Sequence, residues 1–117
     1  MAQVATFGIL SGSTNGKQIK VVQTATAGTT IHTAVSGTSS FDRIFLFAVN
    51  SSASPVKLTI EWGEATAPDG NIEQTILPES GYVPIVQGNP LNNSLVVKAF
   101  ADTANVILIS GYIFTVV

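Results

Sequence analysis

The chain has no cysteine, and only one histidine, one methionine and one tryptophan. Without cysteine there are no disulfides, no thiolate nucleophile and no zinc–thiolate site. Charge is also scarce. Five basic and seven acidic residues make up 10% of the 117 residues, for a net charge of -2, where a typical soluble domain is about one-quarter charged. A compact chain of this mass exposes roughly 6,000 Å², so Ser, Thr, Asn, Gln and Gly must form most of the outside. Five scattered cations leave no electrostatic footprint for nucleic acid. Long apolar runs are missing too. The opening Met1-Ala2-Gln3-Val4-Ala5-Thr6 lacks the basic and apolar regions of a signal peptide. The C-terminal stretch 105–117 is shorter than the ~20 residues of a membrane-spanning helix and contains Ser110, Gly111 and Thr115. No membrane segment is expected, and this stretch reads as a buried strand.

What is present has a period of two. In Val56-Lys57-Leu58-Thr59-Ile60-Glu61-Trp62, the residues Val56, Leu58, Ile60 and Trp62 fall on one face, with Lys57, Thr59 and Glu61 on the other. That is a half-buried antiparallel strand. Two segments are apolar on both faces. In 41–50, Phe45, Phe47 and Val49 oppose Ile44, Leu46 and Ala48; in 105–117, Ile107, Ile109 and Ile113 oppose Val106, Leu108, Tyr112 and Phe114. One face of an antiparallel sheet normally meets water, so strands without a polar face require cover on both sides.

Turn clusters rich in Gly, Ser, Asn and Pro break the chain every 8–15 residues, which leaves no room for an ordinary amphipathic helix. The strands expected are 3–10, 18–26, 29–35, 41–50, 55–63, 71–77, 81–86, 94–101 and 105–117. Regular short strands between turn signals predict a single all-β domain over 1–117, an antiparallel β-sandwich of jelly-roll-like form with eight to nine strands.

Few constellations could carry chemistry. Gly12-Ser-Thr-Asn-Gly16-Lys17 imitates a phosphate-binding loop, but its glycines are one residue too close, and Gln18 replaces the magnesium-binding hydroxyl. A Gly/Asn hairpin turn explains it better. A Ser-His-Asp triad would need His32, which shares a strand face with Thr30 and Ala34 and reads as a hydrogen-bonded packing residue. Glu61, Glu64, Asp69 and Glu73 flank one loop. Asp69-Gly70-Asn71 resembles a fragment of a calcium loop, yet Pro68-Asp69-Gly70 equally fits a turn without an ion. Trp62 is in phase with the core, and Tyr82 and Tyr112 alone do not make a sugar-stacking platform. No catalytic, cofactor-binding or metal-ligating residue is assigned.

The stretches Gly28-Thr-Thr-Ile-His-Thr-Ala34, Phe41-Asp-Arg-Ile44, Val56-Lys-Leu-Thr-Ile-Glu-Trp-Gly63, Leu91-Asn-Asn-Ser-Leu-Val-Val-Lys-Ala-Phe100 and Asn105-Val-Ile-Leu-Ile-Ser-Gly111 resemble small virion structural proteins of tailed bacteriophages in strand texture and phrase order, from about Ile19 onward. That resemblance implies a non-enzymatic capsid decoration (cement) protein, often trimeric. Its partner would be the major capsid protein, and it would be made in the host cytoplasm and placed on the capsid surface. A neck or tail component, or a carbohydrate- or receptor-binding sandwich module, is the alternative. Phe45, Phe47, Tyr112 and Phe114 are the expected subunit contacts. The expected capsid contacts are Asn15, Ser52, Asn89 and Asn92 in exposed loops.

Overall fold

Apolar alternation at nine sites gives nine strands. A computed structural model of the chain describes residues 3–117, so Met1 and Ala2 of the expected 1–117 domain lie outside it; among the described residues there is no helix. The strands are β1 (Ala5–Ile9), β2 (Ile19–Lys20), β3 (Thr29–Thr33), β4 (Phe41–Asn50), β5 (Val56–Trp62), β6 (Asn71–Ile76), β7 (Val83–Leu91), β8 (Val96–Ala101) and β9 (Ile107–Val116). They form two antiparallel sheets. The first runs β1-β9-β4-β7, with β2 following β1 along the same edge of β9, and the second runs β3-β8-β5-β6.

The sheets enclose an aliphatic core in a sandwich-like packing. Ile44, Leu46 and Ala48 of β4 and Ile107, Ile109 and Ile113 of β9 meet Val56, Leu58 and Ile60 of β5 and Val97, Ala99 and Ala101 of β8. Branched aliphatic side chains suit a thin inter-sheet layer, because they interdigitate across ~10 Å without leaving voids. None of the nine aromatic residues is fully buried. Trp62 is half-buried and packs on the core; the other aromatic residues lie further out.

Several expectations need correction. The strand expected at 18–26 pairs regularly only at Ile19 and Lys20. Beyond them the chain crosses between sheets: Val21 bonds to Ile107 and Asn105 next to β9, and the Gln23 carbonyl accepts the Ala101 N–H at the end of β8. A strand that switches sheets turns a corner and cannot keep one ladder. The Asn15-Gly16 turn exists, with φ of 56° and 87° and an Lys17 N–H to Thr14 carbonyl bond of 3.0 Å. It is not a hairpin turn, because β1 and β2 both pair with β9 and not with each other. In β3 the pairing slips between Thr30 and His32, a β-bulge that turns Ile31 and His32 inward together. The strand expected at 81–86 runs instead from Val83 to Leu91, bulged against β4 between Ile44/Phe45 and Leu46/Phe47. Asn89 therefore sits in β7 opposite Ile44, not in a loop.

Candidate functional site: an aromatic face on the first sheet

The inward face of β4 takes Ile44, Leu46 and Ala48, so the register pushes Arg43, Phe45, Phe47 and Val49 outward. The partners across β9 are Phe114, Tyr112, Ser110 and Leu108. Across β9 again, Phe7 and Ile9 of β1 stand opposite Phe114 and Tyr112. The result is a continuous apolar outer face. Phe45 and Tyr112 stack with ring centroids 4.8 Å apart and planes 18° apart. Phe7 lies 5.4 Å from both Tyr112 and Phe114, and Phe47 lies 6.1 Å from Tyr82 and 6.3 Å from Tyr112. Such offset and edge contacts match the quadrupoles of the rings and add roughly 0.5–1.5 kcal/mol per pair. The rings cover one another in part: Phe45, Phe47, Tyr112 and Phe114 are half-buried, while Phe7 is 62% and Tyr82 60% exposed.

Charge is almost missing from this face. Arg43 is the cation among its rings, and it is already engaged. Its Nε–H donates to the Gly88 carbonyl at 3.1 Å, and its guanidinium lies 5.8 Å from the centre of the Phe45 ring. Lys20 marks one end of the face, opposite Leu108. The second sheet is different. Its outward register carries Lys57, Glu73, Thr75 and Lys98, including an exposed Lys57–Glu73 pair at 3.1 Å, beside a half-buried Phe100. Thr59 and Glu61 share this register but are covered, so β5 is more deeply buried than its alternation predicts. The two outer faces thus differ in kind: one is polar in the ordinary way, and the other is aromatic.

Two hollows open on the aromatic side. One of about 300 Å³ is lined by Phe47, Tyr82, Ser110, Gly111 and Tyr112. The other, about 370 Å³, is lined by Phe41, Pro90, Leu91 and Asn92. Tyr82 and Tyr112 alone make no aromatic platform, but the fold adds Phe47, whose ring lies 6.1 Å from Tyr82 and 6.3 Å from Tyr112.

The four residues expected as subunit contacts, Phe45, Phe47, Tyr112 and Phe114, all lie on this face. The four expected in capsid-contact loops do not share a surface. Asn92 follows β7 at the Phe41 end of β4, while Ser52 follows the Asn50 end, roughly 30 Å away along a ten-residue strand. Ser52 is also occupied, since its hydroxyl bonds to the Asn50 side-chain oxygen at 2.7 Å. Asn15 lies in the β1–β2 turn, and Asn89 in β7. Phe7, Ile9 and Arg43 were not picked out from sequence. The alternation of Phe7 and Ile9 was a usable signal, but their pairing with β9 was not.

The polar residues singled out as possible chemistry serve the fold. His32 is buried, and its Nδ1 accepts the Ser11 backbone N–H at 2.9 Å. That donor fixes Nδ1 as an acceptor, so the ring proton is assigned to Nε2, which donates to Asp42 Oδ2 at 2.7 Å. The Ser11 hydroxyl oxygen accepts the Thr33 N–H at 2.7 Å. Both ring nitrogens are committed, and no hydroxyl is placed for His32 to activate. Glu61 is buried and accepts from the Gly28 N–H at 2.7 Å and from the Thr26 hydroxyl. Asp69 lies in a turn closed by the Asn71 N–H on the Pro68 carbonyl at 3.1 Å. Among the described residues no three of His, Asp or Glu converge as metal ligands.

No protein-family model, no curated protein and no solved structure matches this chain.

Proposed function

We propose that this chain is a non-enzymatic structural component of a virion, a capsid decoration (cement) protein that binds the outer head surface and braces contacts between major capsid subunits. The observation that carries the reading is the outer face of the first sheet, where Phe7, Phe45, Phe47, Tyr112 and Phe114 stand outside an aliphatic core. An apolar patch at the upper end of what soluble monomers display is often an interaction surface, and a molecule with 10% charged residues has little else to keep it dispersed. Assembly supplies the missing cover. The strand order also supports this reading. We take the orders β2-β9-β4-β7 and β3-β8-β5-β6, with β1 set aside, as support for a jelly-roll-like form, an arrangement used by viral capsid and lectin domains.

In this reading the working form is a homo-oligomer, with a trimer favoured, made in the host cytoplasm and carried on the capsid surface. Docking at many lattice points multiplies avidity without strong single contacts. The test is the copy number in purified particles relative to the major capsid protein. Hundreds of copies are expected; about a dozen would mark a neck or tail component instead, and absence from particles would overturn the reading.

The hollow between Phe47, Tyr82 and Tyr112 favours a second reading, a carbohydrate-binding module in which a sugar ring stacks on these side chains and bonds to Ser110. A glycan array with wild type and Tyr82→Ala separates the two. Binding that is lost in the variant supports the module, and no binding removes it.

A further inference from the structure

We infer that the occupant of the aromatic face is a second copy of this chain, packed through that same face in solution, before and independently of any larger particle. The inference deepens the assembly reading by naming which surface self-associates and with what.

Size is the first argument. β9 has ten residues; at ~3.4 Å per residue, and with four strands ~4.8 Å apart, the face covers roughly 30 by 20 Å. Two such faces bury at most about 1,200 Å² together, which reaches the lower bound of specific, stable interfaces only if the whole face is used. A footprint of that size suits one opposed copy.

Chemistry is the second. The face offers no pattern of charge that would select an unlike partner. Its one cation among the rings, Arg43, donates a single bond to the Gly88 carbonyl and lies against the Phe45 ring. It is exposed near the Phe41 end of the face, so its remaining guanidinium N–H groups must stay at a wet rim when the face closes. Aromatic clusters are self-complementary, because the offset and edge geometries already seen at Phe45–Tyr112 and Phe7–Phe114 can be repeated against an identical cluster. An isologous contact uses one patch twice and needs only such self-complementarity, so it makes a twofold pair; the trimer favoured above would need a second, heterologous contact elsewhere on the chain. The net charge of -2 opposes the approach of two copies very little.

The edges supply the third. The free edge of β7 contains Pro84 and Pro90 and is bulged twice, which discourages edge-to-edge pairing. At the opposite edge β9 is shared between β1 and β2, so no long strand is offered there. Association through the first sheet is thereby directed to its face, where it closes, and away from its own edges, where it would propagate.

The experiment uses the full chain. Light scattering coupled to size exclusion is expected to give a discrete mass at least twice 12.2 kDa, falling to the monomer in Phe7→Asp and Tyr112→Asp with the circular dichroism unchanged. Because the chain lacks cysteine, single thiols report directly on cover. Ile9→Cys on the face and Leu77→Cys away from it sit at sites of nearly equal exposure in one chain, 52% and 56%. The Ile9→Cys thiol is expected to react with maleimide at least tenfold more slowly than the Leu77→Cys thiol. A monomer at all concentrations overturns the inference, as does an oligomer whose two thiols react alike, since it would associate elsewhere. A self-associating chain absent from virions would leave this inference standing and remove the decoration reading.

Discussion

His32 Nε2 and Asp42 Oδ2 meet 2.7 Å apart where β3 and β4 face each other across the sandwich, both side chains almost wholly shielded from water. The contact is one link in a chain. Asp42 also accepts the Thr115 hydroxyl at 2.6 Å and the Val35 N–H at 3.1 Å, and His32 accepts the Ser11 N–H. One network therefore ties β3, β4, β9 and the loop after β1 at one end of the molecule. Satisfied networks of this kind hold a unique arrangement, and half-satisfied ones are costly.

His32→Ala removes one partner and leaves the Asp42 carboxylate buried with reduced compensation. Losing the bond to a buried carboxylate costs about 1.5–3 kcal/mol, the cavity left by the imidazole adds to that, and at about 4 °C per kcal/mol for a chain of this size Tm should fall by at least about 6 °C. Thr115→Val deletes a single charge-assisted bond and should cost about 1.5–3 kcal/mol. Thermal denaturation of both variants checks the order. Equal stability of His32→Ala and wild type would contradict the structural role.

Glu61 offers a sharper contrast. Glu61→Gln keeps an oxygen for the Gly28 N–H, and its amide can donate to Thr26, whose hydroxyl has the Ala65 carbonyl 3.2 Å away as another acceptor. This variant should lose less than about 1 kcal/mol. Glu61→Leu strands the Gly28 N–H and should lose about 2–3 kcal/mol. Urea denaturation distinguishes the two, and a reversed order would contradict the assignment.

Gly111 of β9 pairs with Leu46 of β4, and a Cβ there runs into the backbone carbonyl of Phe45. Backbone cannot step aside as a side chain can, so Gly111→Ala should cost about 3 kcal/mol or more by forcing the central ladder apart. Gly8→Ala meets only the Ile113 side chain, at 3.3 Å, and should be tolerated within about 1 kcal/mol. The yield of folded protein and its urea midpoint read out both.

The all-β class, the nine strand sites and the two doubly apolar segments were legible in sequence, because period two and turn residues are local signals. The missing parts are those that pairing decides. In β4 the rows Ile44, Leu46, Ala48 and Phe45, Phe47, Val49 are equally apolar, and only packing sends the aliphatic row inward and leaves the aromatic row outside. Gly88 and Pro90 look like punctuation, yet β7 carries both through a bulged edge strand where proline costs little. The bulge at Ile31 inverted the face reading of β3, since a bulge shifts the phase of every residue after it. The aromatic hollow escaped notice because Phe47, Tyr82 and Tyr112 come from three separate segments that only the fold unites.

The central claim is that the aromatic face of the first sheet is covered when the protein is at work. Hydroxyl-radical footprinting with mass spectrometry tests it most directly by comparing Phe7 with Leu77, which are 62% and 56% exposed in the isolated chain. An uncovered phenyl ring oxidises at least as readily as an uncovered leucine. The account predicts Phe7 protected several-fold relative to Leu77 in the assembled protein, with the protection lost on dilution to monomer. Phe7 oxidised as fast as Leu77 at every concentration would contradict it.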